Sequence, residues 1–184
     1  MLVGFHVVHR FRGIVLDPFD GAGINATISN CSTISNEQAL YVSEFGSALV
    51  RVALSGNTWE NLVTGNVPAV LLQGGEVNDI LVTQMDQERY TGNGSGGGLI
   101  CDGVLFDADP DTGGAQVVST TTLDFGNSAG ARVEDTAMQL YSCSGSLSIG
   151  TLTIWQVLGN PAGYVNFGPL TLTITTEVID VTSP

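Results

Sequence analysis

The chain has no lysine. Its five basic residues are Arg10, Arg12, Arg51, Arg89 and Arg132, set against 18 aspartates and glutamates, for a net charge of −13 over 184 residues. There is no basic stripe to neutralise a phosphate backbone and no polybasic segment for anionic lipid, which excludes nucleic acid and a charged bilayer surface as partners. The single basic locality is His6, His9, Arg10 and Arg12, ahead of the first acid at Asp17. It reads either as an arm for an acidic neighbour or as an ordinary first strand. Histidine is equally scarce, with two copies, both in the first nine residues. No Gly-x-Ser-x-Gly elbow occurs, so nothing indicates a Ser/His/Asp or Cys/His arrangement. A glycosidase-like carboxylate pair cannot be chosen by spacing from so many acids. No residue is therefore assigned a catalytic, cofactor-binding or metal-ligating role, and the expectation is a protein that is not an enzyme.

Cysteine is limited to Cys31, Cys101 and Cys143, an odd number without metal-ligand spacing. One intramolecular pair with a free thiol, three free thiols and an intermolecular bridge are all open, while a disulfide framework is excluded by number and chain length. No apolar run reaches the roughly 18 residues of a membrane-spanning helix. The first 16 residues are interrupted by His6, His9, Arg10 and Arg12 and lack the continuous apolar core of a signal peptide. The expectation is a mature protein that begins near Met1 and is made without Sec-type export.

What is present is apolar and strand-like. Mean hydropathy is +0.25 despite the charge. Carboxylates without lysine suit a very salty solvent, where the Debye length falls to about 3 Å at 1 M and self-repulsion is nearly abolished. A halophile's protein is the expectation, an acidic mesophilic surface protein the alternative. The clearest pattern lies in residues 147–181. Leu147 and Ile149 alternate with Ser146 and Ser148, and Leu170, Leu172 and Ile174 alternate with threonines. A period of two marks half-buried strands. The phase slips by one residue at Gly150–Thr151, predicting a bulge or bend within a long strand. Further strands are read at Phe5–Val8 and Ile14–Leu16 as a first pair, at 39–45 and 48–54 as a hairpin, and at 67–72, 99–106 and 116–125. Residues 22–35 read as loop with one brief strand. Residues 76–89 fit helical spacing or a strand, with strand favoured. No repeat of 20 to 50 residues is visible, and the 24 glycines are spread as turns. The fold expected is all-β: a single jelly-roll sandwich or barrel of about eight to ten antiparallel strands spanning residues 1–184 as one domain.

A few stretches invite chemistry. Asp107, Asp109 and Asp111 have the one-three-five spacing of a calcium loop, yet Val118 stands where the bidentate glutamate belongs and Pro110 interrupts. A solvated acidic turn is the plainer reading. The run Gly92 to Gly98 lacks the Lys-Ser/Thr of a phosphate cradle. Asn25-Ala26-Thr27, Asn30-Cys31-Ser32 and Asn93-Gly94-Ser95 are glycosylation sequons that matter only on export. Trp155 lies within the alternating run and reads as core or interface; the only other tryptophan is Trp59.

Length, lack of lysine, the strand-rich pattern and the terminal run Gly168-Pro169-Leu170-Thr171-Leu172-Thr173-Ile174-Thr175 together resemble the smaller major capsid protein of the membrane-containing icosahedral viruses of halophilic archaea, the sphaerolipovirus type. The resemblance rests on overall character and has no diagnostic motif. It implies an upright single jelly-roll barrel in the capsid shell of a virion assembled in the host cytoplasm. Its partners would be copies of itself and a larger sister protein in pseudo-hexameric capsomers around an internal viral membrane. An unpaired cysteine could bridge chains, and Cys31, in its loop setting, is the one singled out. Two rivals come from other classes: a haloarchaeal cell-surface adhesion module, and a carbohydrate-binding jelly-roll module or hydrolase.

Overall fold

The computed structural model describes residues 1–4, 6–9, 11–18, 22–35, 37–44, 48–61, 67–75, 79–92, 97–126, 133, 136–157 and 163–182. The chain winds as a parallel β-solenoid with three faces, A, B and C. The first coil is β1 (Leu2–Val3), β2 (His6–His9) and β3 (Ile14–Leu16). The second is β4 (Ile24–Ser29), β5 (Ser32–Ser35) and β6 (Leu40–Glu44). The third is β7 (Val50–Ser55), β8 (Thr58–Asn61) and β9 (Val70–Gly74). The fourth is β10 (Ile80–Asp86), β11 (Glu88–Gly92) and β12 (Leu99–Asp102), and the fifth β13 (Val104–Phe106), β14 (Val118–Phe125) and β15 (Met138–Tyr141). β16 (Ser144–Val157) starts on face A against β13 and runs on along face B against β14. β17 (Tyr164–Phe167) returns to face C on β15, and β18 (Thr171–Thr182) lies on β16 as the last layer.

Every described strand pair is parallel, for example Ile24↔Val50, Val50↔Ile80 and Ile80↔Val104 on face A, and Leu40↔Val70, Val70↔Leu99 and Leu99↔Met138 on face C. Antiparallel neighbours can be joined by a two-residue hairpin, whereas a parallel neighbour requires the chain to travel away and return. Here the return is a full circuit of the three faces. The corners that make it possible are single residues in left-handed conformation. Gly4, Asn30, Gly56 and Gln87 (φ 68°, 51°, 67° and 55°) turn the chain from face A to face B in four successive coils. Gly103 and Ser142 (φ 66° and 50°) turn it from C to A. One such residue redirects the strand into a different sheet without reversing it. These corners are also hydrogen-bonded between coils, as in Gly4 N to Ser29 O (3.0 Å), Asn30 N to Ser55 O (2.9 Å) and Gly56 N to Asp86 O (2.8 Å).

The alternation read from sequence points every second side chain inward, and the coil register stacks these into columns. Val42, Leu72, Cys101 and Leu140 form one on face C, and Val52, Val82 and Phe106 one on face A. On face B the column Thr33, Trp59, Tyr90, Phe125 and Ile154 carries the largest buried rings; Tyr90 and Phe125 stack with centroids 4.7 Å apart and planes 11° from parallel. All the columns belong to one contiguous apolar core.

The expectation of an antiparallel jelly roll is thus corrected: the chain is all-β, but its strands are parallel and wind as a solenoid, and no α-helix occurs among the described residues. The segments read as a hairpin are β6 on face C and β7 on face A, consecutive around a corner and unpaired with one another. β2 and β3 likewise lie on different faces. Residues 99–106 are two strands broken at the Gly103 corner, and residues 22–35, read as mainly loop, are β4 and β5. The slip at Gly150–Thr151 is present: Leu147 and Ile149 point inward before it, Leu152 and Ile154 after it. There β16 bends round the corner between faces A and B. A Cβ at Gly150 would sit 2.7 Å from the Thr121 carbonyl oxygen of the underlying strand.

Candidate functional site

The corner between faces A and B is where the solenoid changes style. In the first four coils one left-handed residue makes the turn, whereas from β14 onward a continuous strand bends through it. The mismatch leaves an open groove of about 370 Å³ across the third to fifth coils, lined by Asn30, Gly56, Thr58, Gln87, Arg89, Thr122 and Asp124, with Asn57 at its floor. The register explains the wall. Thr58, Arg89 and Asp124 occupy one outward column on face B, paired Thr58↔Arg89 and Arg89↔Asp124. Arg89 Nη2 stands 3.7 Å from Asp124 Oδ2, at an exposed position where such a pair contributes little to stability and its groups remain open to exchange for a ligand. A shallower groove of about 280 Å³ lies along Gly23, Ile24, Asn25, Leu49 and Arg51.

Beneath the first groove is a buried polar cluster. Glu88 and Asn57 face inward at the first position of face B in their coils, where an apolar residue is the rule. Asn57 Nδ2 donates to Glu88 Oε1 (3.0 Å) and to the Ile28 carbonyl (2.9 Å), Trp59 Nε1 donates to Glu88 Oε2 (2.6 Å), and Cys31 N–H donates to Asn57 Oδ1 (2.9 Å). Burial pushes the Glu88 carboxyl up to about 7, against the opposing effect of the Trp59 and Asn57 donors, which favour the charged form. The cluster ties three coils together directly under the groove and holds its floor rigid.

The residues singled out from sequence are not brought together into a site. The Asp107–Asp111 segment is an acidic turn with a short 3₁₀ turn at Pro110–Thr112. Asp107 Oδ1 accepts from the backbone N–H of Asp109 (3.1 Å) and Gln116 (2.8 Å), closing the loop, while Asp111 pairs with Arg51 at 3.2 Å. With Asp107 turned to backbone and Asp111 to an arginine, no cation site forms, and no metal-binding group of three ligands occurs among the described residues. The Arg51 guanidinium is pushed up by its hydrogen bond and proximity to Asp111.

All three cysteines are free and buried. Cys31, expected in an accessible loop, is a core residue only 2% exposed with its thiol 3.3 Å from the Ser29 carbonyl. The reason is that it follows the Asn30 corner, where the next side chain points inward. A bridge to another chain through Cys31 would require opening that coil. Burial pushes the Cys101 thiol well up and the Cys143 thiol to about 11, which makes both poor nucleophiles. His6 and His9 lie on β2 in the first coil, away from the groove, and Arg12 stacks 3.7 Å over the Tyr41 ring. Trp155 is half-buried on face B beside Asp180 of β18, and Trp59 is core. Of the sequons, Asn25 and Asn30 are exposed; Asn93, with most of the glycine-rich stretch 92–98, lies outside the described residues.

Sequence reasoning missed the groove because its residues are about a coil apart and meet only through the register. A signal existed nevertheless. Ser29-Asn30-Cys31-Ser32-Thr33, Ser55-Gly56-Asn57-Thr58-Trp59 and Asp86-Gln87-Glu88-Arg89-Tyr90 share one polar layout around the turn. Comparison with known proteins returns no matching family model, no similar curated protein and no similar solved structure.

Proposed function

We propose that the chain is a binding module and that the groove at the corner of faces A and B takes a neutral, hydroxyl-rich chain, an oligosaccharide being the ligand class that fits. The observation that carries this reading is the lining: amides of Asn30 and Gln87, hydroxyls of Thr58 and Thr122, and the facing pair Arg89 and Asp124, donors and acceptors mixed on successive coils. Their repeat is that of stacked strands, roughly 4.8 Å, so a linear polymer lying along the coil axis meets a similar set of groups at each step. Polar groups placed on strands rather than on loops are held at fixed spacing, which limits the entropy lost on binding. The net charge of −13 disfavours an anionic polymer. With no nucleophile, histidine or metal-ligand set in the lining, the groove fits recognition rather than turnover.

The capsid expectation stood on a resemblance to a jelly-roll protein. With the chain wound as a solenoid, its support narrows to length and composition. Of the two rivals, carbohydrate binding keeps a structural basis here, without the jelly roll. A titration of the folded protein with a panel of neutral oligosaccharides tests it. The reading expects binding of at least one, weakened tenfold or more by Arg89→Ala and by Thr122→Trp, which fills the groove, with unchanged far-UV dichroism. Absence of binding across the panel, or binding untouched by both substitutions, contradicts it.

A further inference from the structure

The two end coils differ from the rest of the solenoid in what they expose. Among the described residues, the exposed large apolar side chains are Met1, Phe11 and Val15 in the first coil, Phe167, Val178 and Ile179 at the other end, and only Leu49 and Val117 between. Each end also carries strands paired on one side alone: β1, β2 and β3 with the coil above them, and β18 with β16. Their charges are opposite. Residues 1–16 contain His6, His9, Arg10 and Arg12 and no acid, whereas the chain after Arg132 has no basic residue and ends with Glu177 and Asp180 on β18.

From these observations we infer that copies of this chain stack head to tail, the basic first coil of one copy adding β1 and β2 to the β18 edge of the next. Strand sense agrees with this: all pairs in the solenoid are parallel, and a simple translation along the axis continues the same pairing from copy to copy. Glu177 decides between the alternatives. It stands in the inward column after Leu123 and Leu152, at the position where those two are buried, and accepts a hydrogen bond from Tyr164 Oη at 3.1 Å. An inward-pointing charge on an edge strand opposes indiscriminate pairing. Here it opposes a second last coil, which brings the same carboxylate, and accepts a first coil, which brings positive charge. A contact of this kind joins two different surfaces, does not close, and builds open rods.

The test is a pair of end-blocked variants of the full chain. Leu2→Lys buries an ammonium at the head on stacking and Ile179→Lys does so at the tail; far-UV dichroism checks that both still fold. Sedimentation velocity should show unmodified chain growing into rods with concentration, each variant alone remaining monomeric, and the two mixed giving a dimer and nothing longer. Unmodified chain that stays monomeric at every concentration overturns the inference. So does a variant that dimerises by itself, since that reports a symmetric contact, or a mixture of folded variants that gives no dimer.

Discussion

At the scale of single residues, Glu88 is the most informative side chain. It is fully buried, its described side-chain partners are donors, and burial still lifts its carboxyl from an ordinary 4.5 to about 7. The folded protein therefore holds the proton more tightly than the unfolded chain does. The stabilisation from Glu88 is complete below about pH 4.5 and is lost as pH rises to about 7, beyond which it is flat. The size is on the order of 3 kcal/mol. Urea denaturation at pH 5 and pH 8 should show this loss in the unmodified protein. In Glu88→Gln that pH-dependent loss should vanish, while the amide, forced against the Asn57 and Trp59 donors, lowers stability by about 1–3 kcal/mol throughout. A variant that retains the same pH slope would place the titration elsewhere.

At the scale of strands, the face-B column is the principal packing device. Phe125 rests on Tyr90 on one side and on Ile154 on the other, and Gly98 is kept small by the ring, since a Cβ there would lie 2.4 Å from Phe125 Cδ1. Phe125→Ala should cost about 3–5 kcal/mol, because a rigid stack of coils cannot close over the void. Thermal unfolding measures this directly, and a loss below about 1 kcal/mol would mean that the column is not packed as described. This is also the scale at which the sequence is readable and then stops being so. Period-two alternation located β7, β10, β14, β16 and β18 because inward and outward side chains differ in polarity. It carries no information on whether the next strand lies beside the last one or around a corner. Single-residue corners such as Asn30 and Gln87 look like any polar residue in a loop, and the coils differ in length, with turns inserted at residues 62–66 and 107–117. Ile24, Val50, Ile80 and Val104 thus fall at uneven intervals and hide the repeat. The slip at Gly150 was legible because the chain keeps both phases in view within one strand. The groove was not, because no two of its walls are neighbours in sequence.

At the scale of the whole molecule, everything proposed depends on the coil register. The groove exists because Thr58, Arg89 and Asp124 are stacked neighbours, and end-to-end stacking is available because the strands all run one way. Long-range amide and Hα contacts in an NMR spectrum of the isotope-labelled protein report this register without a bound ligand or a substitution. The solenoid predicts cross-strand contacts between Val52 and Val82, between Leu72 and Cys101, and between Arg89 and Asp124, all with the spacing of parallel pairs. It predicts none joining β6 to β7. Close Hα–Hα contacts between residues 40–44 and 50–54, the mark of an antiparallel hairpin, would contradict the solenoid and remove the groove with it.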